Sequence, residues 1–203
     1  MFDRGTASLT GGVLGRQLTP GATAPTVGSN YVSLANIPAG ALKTPKNDAA
    51  NQTLCVVYRR PSASMLRYLA GSLDGASGSS LLASGTALGL VYGNQRPFAQ
   101  LGPAIHSGVQ GDWVFAAFSE KTVGASKEQI LMVGGQPVLI STVVNKTVAA
   151  RQVVLGNGYD ATSGDSIIDF AEFIVFDKAL TAAELQDVYL RAKTRMGSVG
   201  ITV

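Results

Sequence analysis

Between Asn30 and Phe176 the chain is a succession of short apolar runs broken by turn residues, and few fold classes accept such a pattern. The runs fall near Tyr31–Asn36, Gln52–Arg60, Met65–Leu69, Ser80–Ser84, Ala87–Tyr92, Phe98–Leu101, Trp113–Ser119, Gln129–Val133, Pro137–Ser141, Val148–Leu155 and Ser166–Phe176. Many are rich in Val, Ile, Tyr and Phe, side chains that fit a pleated, half-buried surface. Frequent turns between such runs predict a sandwich or barrel, and the scarcity of helical periodicity excludes parallel βαβ units. Trp113-Val114-Phe115-Ala116-Ala117-Phe118 alternates, so that 113, 115 and 117 share one side and 114, 116 and 118 the other. Phe173-Ile174-Val175-Phe176 and Val153-Val154-Leu155 are apolar at every position. Such strands need cover twice, from a facing sheet and from a helix, loop or third layer on the other side.

One helix is expected, near the C-terminus. Thr181-Ala182-Ala183-Glu184 has the spacing of a capping box, in which the Thr hydroxyl accepts from the Glu backbone N–H and the Glu carboxylate accepts from the Thr N–H. Leu185, Val188, Tyr189 and Ala192 then form one stripe at spacings of three and four. Arg191, Lys193 and Arg195 complement the dipole in the last turns, and Gly197 ends the helix. The expected fold is therefore all-β, a two-sheet antiparallel sandwich with one C-terminal surface helix.

Composition narrows the function. The 203 residues are 46% hydrophobic and 14% charged, with 24 glycines, the reverse of a disordered chain. The net charge is +3, but the basic residues are scattered, and the densest pair, Arg59-Arg60, reads as a solvated strand end. Nucleic acid is excluded as a partner, because no basic stripe or motif is present. One cysteine, Cys55, rules out an intrachain disulfide and reads as a buried apolar residue. The N-terminus carries no secretory signal and no window approaches a membrane span, so membrane insertion is excluded and synthesis in the cytoplasm is expected. Residues 1–29, rich in Gly, Thr, Ser and Pro, read as an extended arm that packs on the domain, a sister subunit or an assembly neighbour, or stays loose. Residues 30–203 form the single domain.

The second half of the chain also carries an ordered set of signals. These are Gly111-Asp112-Trp113-Val114-Phe115-Ala116-Ala117, Gln129-Ile130-Leu131-Met132-Val133-Gly134-Gly135-Gln136-Pro137-Val138, Val153-Val154-Leu155-Gly156, and the segment Ile168 to Leu185 followed by a helix and Gly200-Ile201. Together they resemble the concanavalin-A-like, laminin-G-like domains, in the variant common in bacteriophage structural proteins. The resemblance implies a jelly roll. It also implies a calcium ion on the sandwich rim, for which Asn157, Asp160 and Asp165 have suitable hard oxygens; a solvated turn has the same composition.

Enzyme chemistry finds little footing. Hydrolases on this fold resemble one another in an E-x-D-x-E strand motif that aligns carboxylates on one face, and no such run occurs. Asp169 and Glu172 are three apart, which on a regular strand sends them to opposite faces; Glu172 is expected to have a structural partner. The only histidine, His106, sits in a polar loop with no partner for a triad, and no phosphate loop is present. Binding is the better reading. Tyr92, Asn94 and Arg96 in one turn, and Tyr159 and Asp160 in another, pair an aromatic with planar polar groups as glycan sites do; buried anchors in hairpin turns would look the same. Trp113 is expected in the core.

The resulting expectation is a non-enzymatic virion protein, a tail or capsid decoration or attachment factor, partnered by other virion proteins or by copies of itself as a homo-oligomer, and able to bind cell-surface polysaccharide. The absent secretory signal, the phage-type variant and an arm of low charge all point that way. A free carbohydrate-binding module and a polysaccharide hydrolase or lyase with an unrecognised site are the alternatives.

Overall fold

The computed structural model describes residues 18–60, 67–84, 87–93, 95–101, 111–134, 139–159 and 166–203; of 84, 87, 95–101, 139, 141, 143 and 144 it describes the backbone alone. The described residues form two seven-stranded antiparallel sheets. The first sheet runs in the order β1 (Thr19–Pro20), β4 (Leu42–Asn47), β13 (Gln152–Leu155), β6 (Arg67–Gly71), β7 (Ser79–Ser84), β8 (Ala87–Tyr92), β9 (Gln95–Leu101). The second runs β12 (Leu139–Val144), β11 (Ser126–Val133), β10 (Trp113–Val123), β5 (Gln52–Arg59), β14 (Ile167–Phe176), β3 (Val32–Ala35), β2 (Thr26–Val27). The sandwich and its C-terminal helix are thus as the strand pattern requires.

Period-two alternation builds the core. Leu54, Val56 and Tyr58 of β5, Ala116 and Phe118 of β10, Leu131 of β11 and Phe170 of β14 face Leu81, Leu88, Leu90, Val153 and Leu155 of the other sheet. The alternate side chains of the second sheet are apolar too. Cys55, Val57, Phe115, Ala117, Ile130 and Met132 form a second layer beneath helix α1 (Ala182–Gly197), which buries Leu185, Tyr189, Ala192 and Met196. In β14, Phe173 and Val175 pack inward while Ile174 and Phe176 pack beneath the helix. The doubly apolar strand is therefore covered twice. The capping box forms as the spacing predicts: Glu184 N–H donates to Thr181 Oγ1 and Thr181 N–H donates to Glu184 Oε2 at 2.8 Å. Gly134 lets the Tyr189 ring approach the sheet; a Cβ there would lie 2.4 Å from that ring.

One end of the interior is polar. Gln52, Ser79, Glu120, Lys127 and Lys146 are buried there beside Asp48. Lys146 Nζ donates to Asp48 Oδ1 at 2.6 Å, to Ser79 Oγ at 3.1 Å and to Glu120 Oε1. Gln52 Nε2 donates to both carboxylates at 2.8 Å, and Lys127 stands 3.7 Å from Glu120 Oε2. Two ammonium and two carboxylate groups cancel, the condition under which buried charge is tolerated.

The stretch read as an arm is sewn into the sandwich from residue 18 onward. Thr19 and Pro20 pair with Lys43 and Leu42, and Thr26 and Val27 pair with Ser33 and Val32. Residues 1–17 lie outside the described residues. Strand β4, which was not anticipated, is polar and contains Pro45, with Leu42 and Thr44 as its buried positions.

Candidate functional site

The anticipated glycan residues separate. Tyr92 belongs inside: it is 5% exposed, in line with Leu88 and Leu90, and its hydroxyl donates to Gln129 Oε1 at 2.9 Å. Burial, reinforced by Glu120, pushes the phenol pKa up. Tyr92 is therefore a core residue, and the glycan role expected of it is withdrawn, because strand register outranks the neighbouring Gly93 turn. Asn94, Asp160 and Asp165 lie outside the described residues, as do the Arg96 side chain and His106.

Tyr159 is at the surface and half-buried. Its hydroxyl donates to the Gln152 carbonyl at 3.1 Å, and the Arg151 guanidinium sits 5.4 Å from the ring centroid. Arg151 is itself tied to Asp74 at 2.7 Å. The ring lines a small depression of about 10 Å³, room for a single water, whose other walls, Tyr68, Ser80, Val154 and Asn157, are buried. Asn157 is buried and directs its amide nitrogen at the Asn36 carbonyl, 3.4 Å away. A side chain so enclosed does not fit a calcium ligand on an open rim. Among the described residues no group of three His, Cys, Asp or Glu could hold a metal.

A second polar group lies on the outer face of the second sheet, with Tyr31 and Trp113 packed at the margin of the layer beneath the helix. Antiparallel register aligns Thr26, Ser33, Asp169, Arg59 and Trp113 in one row across five strands. Arg59 donates from Nε and Nη2 to Asp169 Oδ2 at 3.0 and 2.7 Å, and Ser33 donates to Asp169 Oδ1 at 2.6 Å. The guanidinium carbon lies 5.1 Å from the centroid of Tyr31 and 4.7 Å from that of Trp113, and the two rings are tilted with centroids 5.8 Å apart. Trp113, expected in the core, is half-buried at its margin. The strand-end pair Arg59-Arg60 also divides: Arg60 is buried and Arg59 is half-buried. Sequence reasoning missed this row because each residue is ordinary in isolation. The only sequence signal for it is that Arg59 continues the outward alternation of Cys55 and Val57.

Asp169 and Glu172 need a correction. A bulge between Phe170 and Glu172 places Asp169 opposite Arg59 and Glu172 opposite Val57, so both carboxylates share the outer face. Each is engaged by its own arginine, Asp169 by Arg59 and Glu172 by Arg195 at 2.8 Å. The structural partner expected for Glu172 is thus Arg195. Cys55 is buried beside this pair, and its thiol pKa is pushed up by burial and by the Glu172 charge, which holds it protonated and unreactive.

No family model matches the sequence, and no curated relative does. Solved structures do share the fold. The botulinum neurotoxin type G receptor binding domain superposes with a TM-score of 0.63 at 13% identity, over 88% of this chain and 47% of that one. A second structure of the serotype G binding domain gives 0.65 at 12% identity, over 91% and 48%. The receptor binding domain of botulinum neurotoxin D gives 0.63 at 13% identity, over 89% and 49%. The chain spans about half the length of these structures, and at such identity the likeness establishes a shared β-sandwich fold.

Proposed function

We propose that the chain is a non-enzymatic binding module whose rigid sandwich presents surface side chains to cell-surface carbohydrate, and that it serves as a structural or attachment protein of a phage-type particle. The observation that carries the binding reading is Tyr159: a half-buried surface ring fixed by its own hydroxyl and by Arg151. Such a ring gives a sugar an apolar face at low entropic cost. The solved neighbours are named as receptor-binding domains, which is consistent with a binding role. The two carboxylates on the outer face are each engaged by an arginine, an arrangement that favours structure over catalysis. The closer kinship with the concanavalin-A-like phage variant, and assembly into homo-oligomers or with other particle proteins, belong to the same proposal. They rest on the sequence signals of residues 111–201.

A glycan array tests the binding reading. Defined hits with the unaltered protein, weakened about tenfold or more by Tyr159→Ala, support it; an array without hits sinks it. Oligomeric state in solution, with residues 1–17 present and then deleted, separates a particle protein from a free carbohydrate-binding module. The shared face of Asp169 and Glu172 keeps a polysaccharide hydrolase or lyase as the second reading, which turnover of a polysaccharide panel would establish.

A further inference from the structure

We propose that Tyr31, Arg59 and Trp113 form a second binding site, separate from the Tyr159 depression, that takes a neutral pyranose residue of a glycan. The proposal rests on the glycan-binding reading above but assigns a different face of the molecule and a stated sugar chemistry.

Three features build the site. First, Arg59 is held in place. Its Nε and Nη2 edge is fastened to Asp169 Oδ2, and the other oxygen of Asp169 accepts from Ser33. The guanidinium is further held over two aromatic rings. A donor fixed this way loses little freedom when a ligand arrives. Second, hydrogen-bonding capacity is left over. Arg59 Nη1, the indole N–H of Trp113 and the Tyr31 hydroxyl have no protein partner among the described residues, and the Arg59 side chain is 31% exposed. Three adjacent groups rich in donors therefore face water, within a cluster whose ring centroids are 5.8 Å apart. Third, the support is rigid. Arg59 and Asp169 lie on β5, the central strand of the sheet, and its neighbour β14, and Trp113 begins β10 on the other side of β5.

Charge decides the ligand class. Asp169 already neutralises Arg59, so an incoming anion would be a second carboxylate near one guanidinium and would gain little. A neutral sugar supplies hydroxyl and ring oxygens as acceptors for the unused donors. A role confined to holding strand ends together would call for the Asp169 edge of Arg59 alone and would leave no reason for three donors to converge on solvent.

Trp113 is the single tryptophan of the chain, so its fluorescence reports this site directly. The probes are lactose, cellotriose and chitotriose as neutral oligosaccharides and tri-galacturonic acid as an acidic one, each followed by tryptophan emission and by calorimetry. At least one neutral probe should change the emission saturably. Tyr31→Phe, which keeps the ring and removes only the hydroxyl, should weaken it about tenfold at an unchanged melting temperature. Calorimetric binding that leaves Trp113 emission unchanged and is indifferent to Tyr31→Phe overturns this site and leaves the Tyr159 reading standing. Preference for tri-galacturonic acid overturns the neutral assignment. Absence of binding by every probe together with an empty glycan array overturns both readings.

Discussion

Asp169 and Glu172 lie on the same face of β14 although three residues separate them, because the strand carries one extra residue between Phe170 and Glu172. The bulge gives each carboxylate its own arginine, one on the neighbouring strand and one on the helix. Asp169 is the more heavily engaged, with Arg59 and Ser33 both donating to it. Asp169→Ala should lower unfolding free energy by about 2–3 kcal/mol, since it leaves two donors unpaired at once. Urea denaturation monitored by circular dichroism measures the change; a loss below about half a kcal/mol would show that water replaces the carboxylate at no cost.

The polar end of the interior should respond asymmetrically to mutation. Lys146→Met removes the cation that Asp48 and Glu120 share and strands two buried carboxylates. A loss of about 3–5 kcal/mol is expected, and adding Glu120→Leu to Lys146→Met should recover part of it, because apolar replacements are tolerated where an uncompensated charge is not. Guanidinium denaturation of the single and double variants decides it.

Gly134→Ala should push the helix off the sheet. Its Cβ would lie 2.4 Å from the Tyr189 ring, which itself packs tilted against Phe115 with centroids 5.5 Å apart. The strain should cost about 1–3 kcal/mol. Adding Tyr189→Leu should relieve most of it, and melting temperatures of the two variants test the pair.

The helix N-terminus carries a pH signature. Lys178, then the backbone and side chain of Thr181, hold the Glu184 carboxyl down to about 2 from its ordinary 4.5. A depressed carboxyl stabilises the fold fully above its unfolded value, and that stabilisation is lost as pH falls through the folded one. The first helical turn should therefore stay intact above pH 4.5 and fray as pH falls toward about 2, and Glu184→Gln should remove the dependence. Amide chemical shifts of Ala182 to Leu185 across that range provide the measurement.

Much of the fold was legible because a strand buried on one or both faces has to advertise that in its side chains. Leu88, Leu90 and Tyr92 spell an inward face, and the same alternation, followed through, places Tyr92 inside in spite of the Gly93 turn beside it. Strand β4 was illegible because Lys43, Pro45, Lys46 and Asn47 are polar and Leu42 and Thr44 are its buried positions. The polar end was hidden for another reason. Asp48, Glu120, Lys127 and Lys146 look like surface charges until pairing brings them together from four places in the chain. The Arg59 row and the bulge belong to the same class: both depend on which strand lies beside which, and no single segment records its neighbours.

The placement of β14 also governs when the protein can fold. Its partners, β5 and β3, come from the first third of the chain, and β14 stands between them near the middle of the second sheet. Until the ribosome has released Phe176, β5 lacks one of its two lateral neighbours and the layer that α1 will cover stays open to water. Through most of its synthesis the nascent chain therefore holds β3 and one edge of β5 without the strand that joins them. Closure of the second sheet is late and long-range, which predicts slow folding and a need for protection from aggregation along the way.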